Sequence, residues 1–270
     1  MSVSFKYDEN NKYHRALRWA VIVVASLITF VIFWWFLAAI LDMTAIPTPM
    51  QTFDAFISLL NDGDPLTGVP LSNYLQKSFT TFLEGFAIAF MIAVPLGLFL
   101  GFVKPLKEFL TPIIEVLRPI APIAWAPIFI LSFGYKIGPP LVVFIGIFFP
   151  LLTNAIFGVE KIDKTLIDAS RTLGANNIQI FTKVILPSAV PYIMNGVKVG
   201  LGIGWMCIVA AELYNTTLSG IGYFVKFMID NASYDYAFAG IIIIAILGLL
   251  TTGVAEYISK VVSRRMGVDV

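Results

Sequence analysis

Six runs in this chain are each long and apolar enough to cross a lipid bilayer, and that limits its fold more than any other feature. A helix rises about 1.5 Å per residue, so about 20 apolar residues cover a hydrocarbon core. Inside such a core every backbone N–H and C=O needs a partner within the protein, and an α-helix supplies them all. The runs are Trp19–Leu41 and, approximately, Ser78–Val103, Leu106–Phe133, Pro139–Val159, Ser188–Leu213 and Ala237–Ile258. The expected fold class is therefore an all-α polytopic membrane protein with six transmembrane helices. Composition agrees: 58% of residues are hydrophobic and only 13% charged, against about 25% charged in a soluble domain. That is too little charge to cover a water-facing surface. The first run follows 18 polar-rich residues and exceeds a signal-peptide core in length, so it reads as an uncleaved span.

The same runs divide the chain. Residues 1–18 form an N-terminal tail, 19–41 the first span, 42–77 an outer loop, 78–258 the core with a long inner segment at 160–187, and 259–270 a C-terminal tail. Lys and Arg set the orientation, because they accumulate in cytoplasmic loops. With the N-terminus inside, 13 of the 18 cations fall in inner segments, three (Lys77, Lys136, Lys226) in outer ones, and Arg118 and Lys198 within spans. Both termini are expected in the cytoplasm. The outer segment 214–236 contains "LSGIGYFVKFM", which reads as a re-entrant or interfacial helix.

Several function classes drop out. Net charge is +1, and no patch interleaves basic and aromatic residues, so no nucleic-acid partner is indicated. His14 is the only histidine and Cys207 the only cysteine, so neither a zinc site nor a catalytic Ser-His-Asp set can be assembled. No cofactor is implied. Cys207 lies in an apolar run, as a small buried hydrophobe would.

Polar groups inside a membrane are costly and become functional candidates. Arg118 and Lys198 each lie roughly 15 Å from the inner end of their spans at 1.5 Å per residue, a depth at which two cations would stabilise a passing anion. The structural alternative pairs Arg118 with Glu115 and lets Lys198 reach the headgroups. Trp125 and Asn195 are further candidates for the path, with core packing as the alternative for Trp125. Glu212 and Glu84 suit structural roles, and Glu212 also a gate. Pro119, Pro122 and Pro127 should break the third span. Gly196, Gly200 and Gly204 recur at steps of four, a ridge that permits close helix approach within one chain or between two.

The inner segment is polar yet periodic. Ile162, Leu166, Ala169 and Leu173 share one helix face, Gly174 can end that helix, and Ile178, Phe181, Val184 and Ile185 mark a second. Pro187 falls where the next span would begin. Such helices lie on the lipid surface or dock into a partner protein, and periodicity alone leaves both open.

The stretch "DASRTLG…VILP" resembles the EAA motif of binding-protein-dependent ABC importer permeases. Asp168, Ala169 and Ser170 take the Glu-Ala-Ala places, Gly174 follows at six, and Val184, Leu186 and Pro187 keep the remaining spacing. Asp, Ser and Val replace the usual Glu, Ala and Ile. "LRPIAPIAWAPIFILSFG" and "GIGWMCIVAAEL" are similar to the branch that imports nitrate, bicarbonate, taurine and alkanesulfonates. The resemblance implies a MetI-like permease fold, a permease homodimer or pair, cytoplasmic ABC ATPase subunits and an extracytoplasmic solute-binding protein. It also implies that Asp168, Ala169, Ser170, Arg171, Gly174 and Pro187 belong to a coupling helix seated on the ATPase. The sequence contains no G-x-x-x-x-G-K-[ST], so a partner would supply ATP hydrolysis. The competing readings are a secondary transporter, or a non-transport membrane protein with an interfacial helix.

Overall fold

The computed structural model describes residues 12–41, 43–214 and 220–265. It contains α1 (Lys12–Leu41), α2 (Pro49–Asn61), α3 (Leu71–Phe102), α4 (Lys104–Leu117), α5 (Pro122–Glu160), α6 (Lys164–Thr172), α7 (Asn177–Ile180), a π turn (Phe181–Ile185), α8 (Leu186–Glu212), α9 (Ile221–Asp230) and α10 (Tyr234–Arg265). Among the described residues, five helical stretches are long and apolar enough to span a membrane: 17–41, 71–102, 122–160, 177–212 and 234–264.

Five stretches stand where six spans were expected, because the end of the expected third span and the whole of the fourth are joined in the stretch 122–160, and prolines break the third span at its start. The expected third span is two pieces, α4 and the start of α5, separated at Arg118–Ala121. Ala121 precedes Pro122 and is extended (φ −59°, ψ 128°), since the proline ring disfavours helical geometry in the residue before it. No residue of α4 is buried. The second piece then merges with the expected fourth span. A straight helix of 39 residues would measure roughly 58 Å at 1.5 Å per residue, far more than a bilayer core. It is not straight. Gly134 is non-helical (φ 76°, ψ 176°), and a Cβ on Gly138 would lie 2.8 Å from the Ile130 Cα. Residues eight apart in one helix are roughly 12 Å apart along the axis. The chain therefore folds back at Gly134, and 122–133 packs beside 135–160.

The core lies where α3, the long limb of α5, and α8 meet, with Leu100, Val142, Ile147, Leu151 and Ile208 fully enclosed. Glycines set the spacing. A Cβ on Gly196 would sit 2.8 Å from the Asn154 Cβ, and one on Gly204 2.6 Å from Ile147 Cδ1. The Gly196/Gly200/Gly204 ridge thus serves packing of α8 against α5 within one chain. Cys207 is buried against Gly146.

A second cluster closes the opposite end of the bundle from 160–187. Tyr74, Ile221, Phe224 and Met228 pack with Leu59 and Ala237, so α9 sits among α2, α3 and α10. Residues 43–77, expected as an outer loop, hold α2 and the start of α3. Thr48 and Gln51 form a reciprocal cap on α2, and buried Asp64 accepts the Tyr74 hydroxyl at 2.8 Å. α1 stands apart: Trp34 donates to the Pro47 carbonyl at 3.1 Å and stacks on Phe238.

Candidate functional site

The inner segment is built from local caps. Asp163 caps α6 by accepting the Thr165 N–H at 2.8 Å. Hydrogen bonds from the Thr165 side chain and backbone hold its carboxyl below the usual range. At the other end Gly174 has φ +82°, its N–H reaches the Arg171 carbonyl at 2.9 Å, and the Ala175 N–H reaches Ser170 at 3.0 Å. Those two bonds make a Schellman motif, which needs a left-handed residue at Gly174. A Cβ there would meet nothing within 4 Å, so the backbone angle, not space, requires glycine. Asn176 and Gln179 then cap α7 reciprocally.

One expectation about this segment is overturned. Pro187 does not open a span, because helix runs without a break from Asn177 to Glu212. Pro187 has no N–H to offer Lys183, and the preceding residues Phe181–Ile185 widen into a π turn, with the Leu186 N–H bonded to Phe181. Such a turn absorbs an interrupted hydrogen-bond ladder within one helix.

The predicted apolar stripe also divides. Ile162 is half-buried against the core, while Leu166, Ala169 and Leu173 face outward. Leu166 is 53% and Leu173 88% exposed. Asp168 and Arg171 line a cleft between α6 and the ends of α3 and α5. Ser170 is half-buried and bonds back to the Leu166 carbonyl.

The candidates within the spans are dispersed. Arg118 is exposed at the break after α4, and no ion pair joins it to Glu115 among the described residues. Trp125 is half-buried and stacks on Phe129 at 5.6 Å. Asn195 is exposed and donates to the Asn154 side chain at 3.0 Å. Lys198 is half-buried and within electrostatic reach of Glu256 on α10, whose carboxylate pairs with Lys260 at 2.9 Å. Arg118 and Lys198 thus have different neighbours on different helices. Glu84 is exposed on α3.

Glu212 ends α8 and is 2% exposed. Its Oε1 accepts the Ser78 hydroxyl at 2.7 Å and its Oε2 the Gly222 N–H at 2.8 Å. Ser78 in turn accepts the Ile221 N–H at 2.8 Å. These groups take the place of a cap, because Gly220, at the head of α9, has no side chain to provide one. A negative carboxylate also suits the positive end of a helix. Gly220 has φ +89°, and a Cβ there would collide with the Glu212 carboxylate. No lysine lies at ion-pair distance from Glu212 among the described residues, though Lys77 is within electrostatic reach. Ser78, Gly220 and Gly222 carry this arrangement and were missed in the sequence. The only hint was a glycine pair eight and ten places after an acid.

The sequence matches the family described as "binding-protein-dependent transport system inner membrane component" over residues 93–266. It is 30% identical to the taurine transport system permease protein TauC of Escherichia coli, covering 89% of this chain and 91% of that one. It is 28% identical to the bicarbonate transport system permease protein CmpB of Synechococcus elongatus, covering 94% of each. In fold it is similar to a chain of the inward-facing MetNI methionine ABC transporter, with TM-score 0.60 at 20% identity over 71% of this chain and 97% of that one. The family's residues run from within α3 to the end of α10 and take in the α6 segment, the π turn, Glu212 and the head of α9, but not Ser78. This chain therefore belongs to the inner-membrane permease components of binding-protein-dependent ABC transporters, multi-pass membrane subunits that are not themselves enzymes.

Proposed function

We propose that this chain forms the translocation path of an ATP-driven importer for a small anionic solute of the sulfonate or bicarbonate type. The observation that carries this reading is the outward ridge Leu166–Ala169–Leu173 on a capped helix with EAA spacing, in a chain lacking a phosphate-binding loop. Exposed apolar side chains on a polar, charged helix call for a protein groove. The groove is that of a cytoplasmic ABC ATPase, and Asp168, Ser170, Arg171, Gly174 and Pro187 shape the element that enters it. Both termini lie in the cytoplasm, two permease copies form the path, and a solute-binding protein delivers the solute from outside.

The mechanism is alternating access. Closure of the ATPase pair on ATP moves α6. The unbroken stretch from Asn177 to Glu212, roughly 54 Å at 1.5 Å per residue, carries that motion across the bilayer. Asn195 with its Asn154 partner, Arg118, Trp125 and Lys198 contribute polar and aromatic groups along the way. Solute identity is borrowed from the relatives: taurine and bicarbonate share a compact anionic group and little else.

The test is reconstitution of the permease with its ATPase and binding protein in liposomes, with ATP hydrolysis measured against taurine, alkanesulfonates, bicarbonate and nitrate. Stimulation by one of them is expected. Uptake driven by a proton or sodium gradient with no ATPase present would sink the reading.

A further inference from the structure

The face of α6 opposite the outward ridge closes a cleft of about 470 Å³, bounded also by the α3–α4 junction and the end of α5. That volume is within the roughly 300–1,000 Å³ of small-ligand sites. Lys104, Lys164 and Arg171 reach its walls, and none has an ion-pair partner among the described residues. Two acids share the walls. Glu160 is already held by Lys107, which leaves Asp168 as the one unpaired carboxylate against three cations. Buried Ile180 and Ile185 give the lining an apolar part, and exposed Phe102 adds to it.

We infer that this cleft binds the phosphate of an anionic phospholipid headgroup. A cationic wall beside an apolar part of the lining, where spans end, matches a phosphate joined to acyl chains. Basic clefts between helix ends on the cytoplasmic side are where such headgroups bind. The inference rests on the orientation proposed above. The headgroup neutralises the cluster and holds α6 against the bundle, while Leu166 and Leu173 stay free for the ATPase. α6 is then braced on one face by lipid and driven from the other by protein.

The test is lipid binding by the delipidated full-length permease in detergent, read by native mass spectrometry. The probes are phosphatidylglycerol and phosphatidylcholine with identical chains, with inorganic phosphate as competitor. Phosphatidylglycerol should bind about tenfold more tightly than phosphatidylcholine, and each of Lys104→Gln and Lys164→Gln should weaken it about fivefold, as about 1 kcal/mol per surface cation implies. Lys260→Gln, the same charge change on α10, should leave the preference intact. Displacement by inorganic phosphate would support the phosphate chemistry with free phosphate as a source, and resistance to it would support the lipid. Equal binding of the two lipids, or a preference untouched in both single variants, would overturn the inference. So would loss of phosphatidylglycerol on adding the ATPase, which would give the cleft to the protein partner. ATPase co-purification is scored on the same preparations. A failed lipid preference with the ATPase retained sinks only this inference, and absence of the ATPase with the preference intact sinks only the functional reading.

Discussion

Two short helices flank the long stretch ending in α8, and they are held in opposite ways. α6 is defined by its own sequence. Its bonds at Asp163, Gly174 and Ala175 reach two to five residues along the chain. α9 is defined by the rest of the molecule. Its first N–H groups are taken by Glu212 and Ser78, and Ser78 lies 143 residues from Ile221. Local caps fix the shape of α6 without fixing its neighbours, which suits an element that must follow a partner. Long-range bonds fix α9 to α3 and α8, which suits an element that must hold one end of the bundle closed.

The sharpest way to break that contrast is at the bolted end. Glu212→Ala should remove the acceptor for two buried donors, Ser78 and Gly222. Each buried group left unsatisfied costs about 1–3 kcal/mol. A loss of about 2–5 kcal/mol is expected, read as a large drop in the melting temperature of the detergent-solubilised permease. Gly220→Ala should come close to it, because the added Cβ collides with the carboxylate at a backbone angle only glycine favours. Glu212→Asp, which keeps charge but shortens reach, should recover part of the stability. If Glu212→Ala melts like the parent protein, α9 is not held in this way.

The next effect is smaller. Gly174→Ala keeps the space but penalises the left-handed backbone by about 1–2 kcal/mol. The cost falls on a local cap rather than on the core. Hydrogen exchange should rise across α6 and α7 while the global melting temperature moves little. A fall in the melting temperature as large as that of Glu212→Ala would erase the distinction between the two ends.

The same distinction explains what the sequence made legible. Asp163, Gly174 and the Asn176–Gln179 cap act within a few residues of themselves, so spacing revealed the segment and its joint. The spans were legible too, because apolar length is a local property. The Ser78–Glu212–Gly222 network was not, since nothing near Ser78 marks it as a partner for a residue 134 places away. The reversal at Gly134 was legible, because the apolar runs end at Phe133 and resume at Pro139 with Lys136 between them, and the chain turns back there. Pro187 misled because a proline at a predicted boundary is the usual sign of a helix start, and here a π turn carries the helix through it.

The smallest effect on stability should accompany a large one on coupling. Leu173 is 88% exposed, so burial in this chain contributes almost nothing to keeping it there. Leu173→Asp should change stability by less than about 0.5 kcal/mol, as surface substitutions away from caps and cores do. The side chain belongs to the outward ridge, however, and a carboxylate placed in an apolar groove of a partner is desolvated without a counter-charge. Capture of the ATPase by the permease should fall at least tenfold, with solute-stimulated ATP hydrolysis lost and the melting temperature unchanged. Lys161→Gln makes the necessary control, because Lys161 lies over the Phe157 ring at the end of α5, off the ridge, and its loss should leave capture near the parent level. If Leu173→Asp retains the ATPase and Lys161→Gln releases it, the charged side of the segment faces the partner and the apolar ridge lies elsewhere.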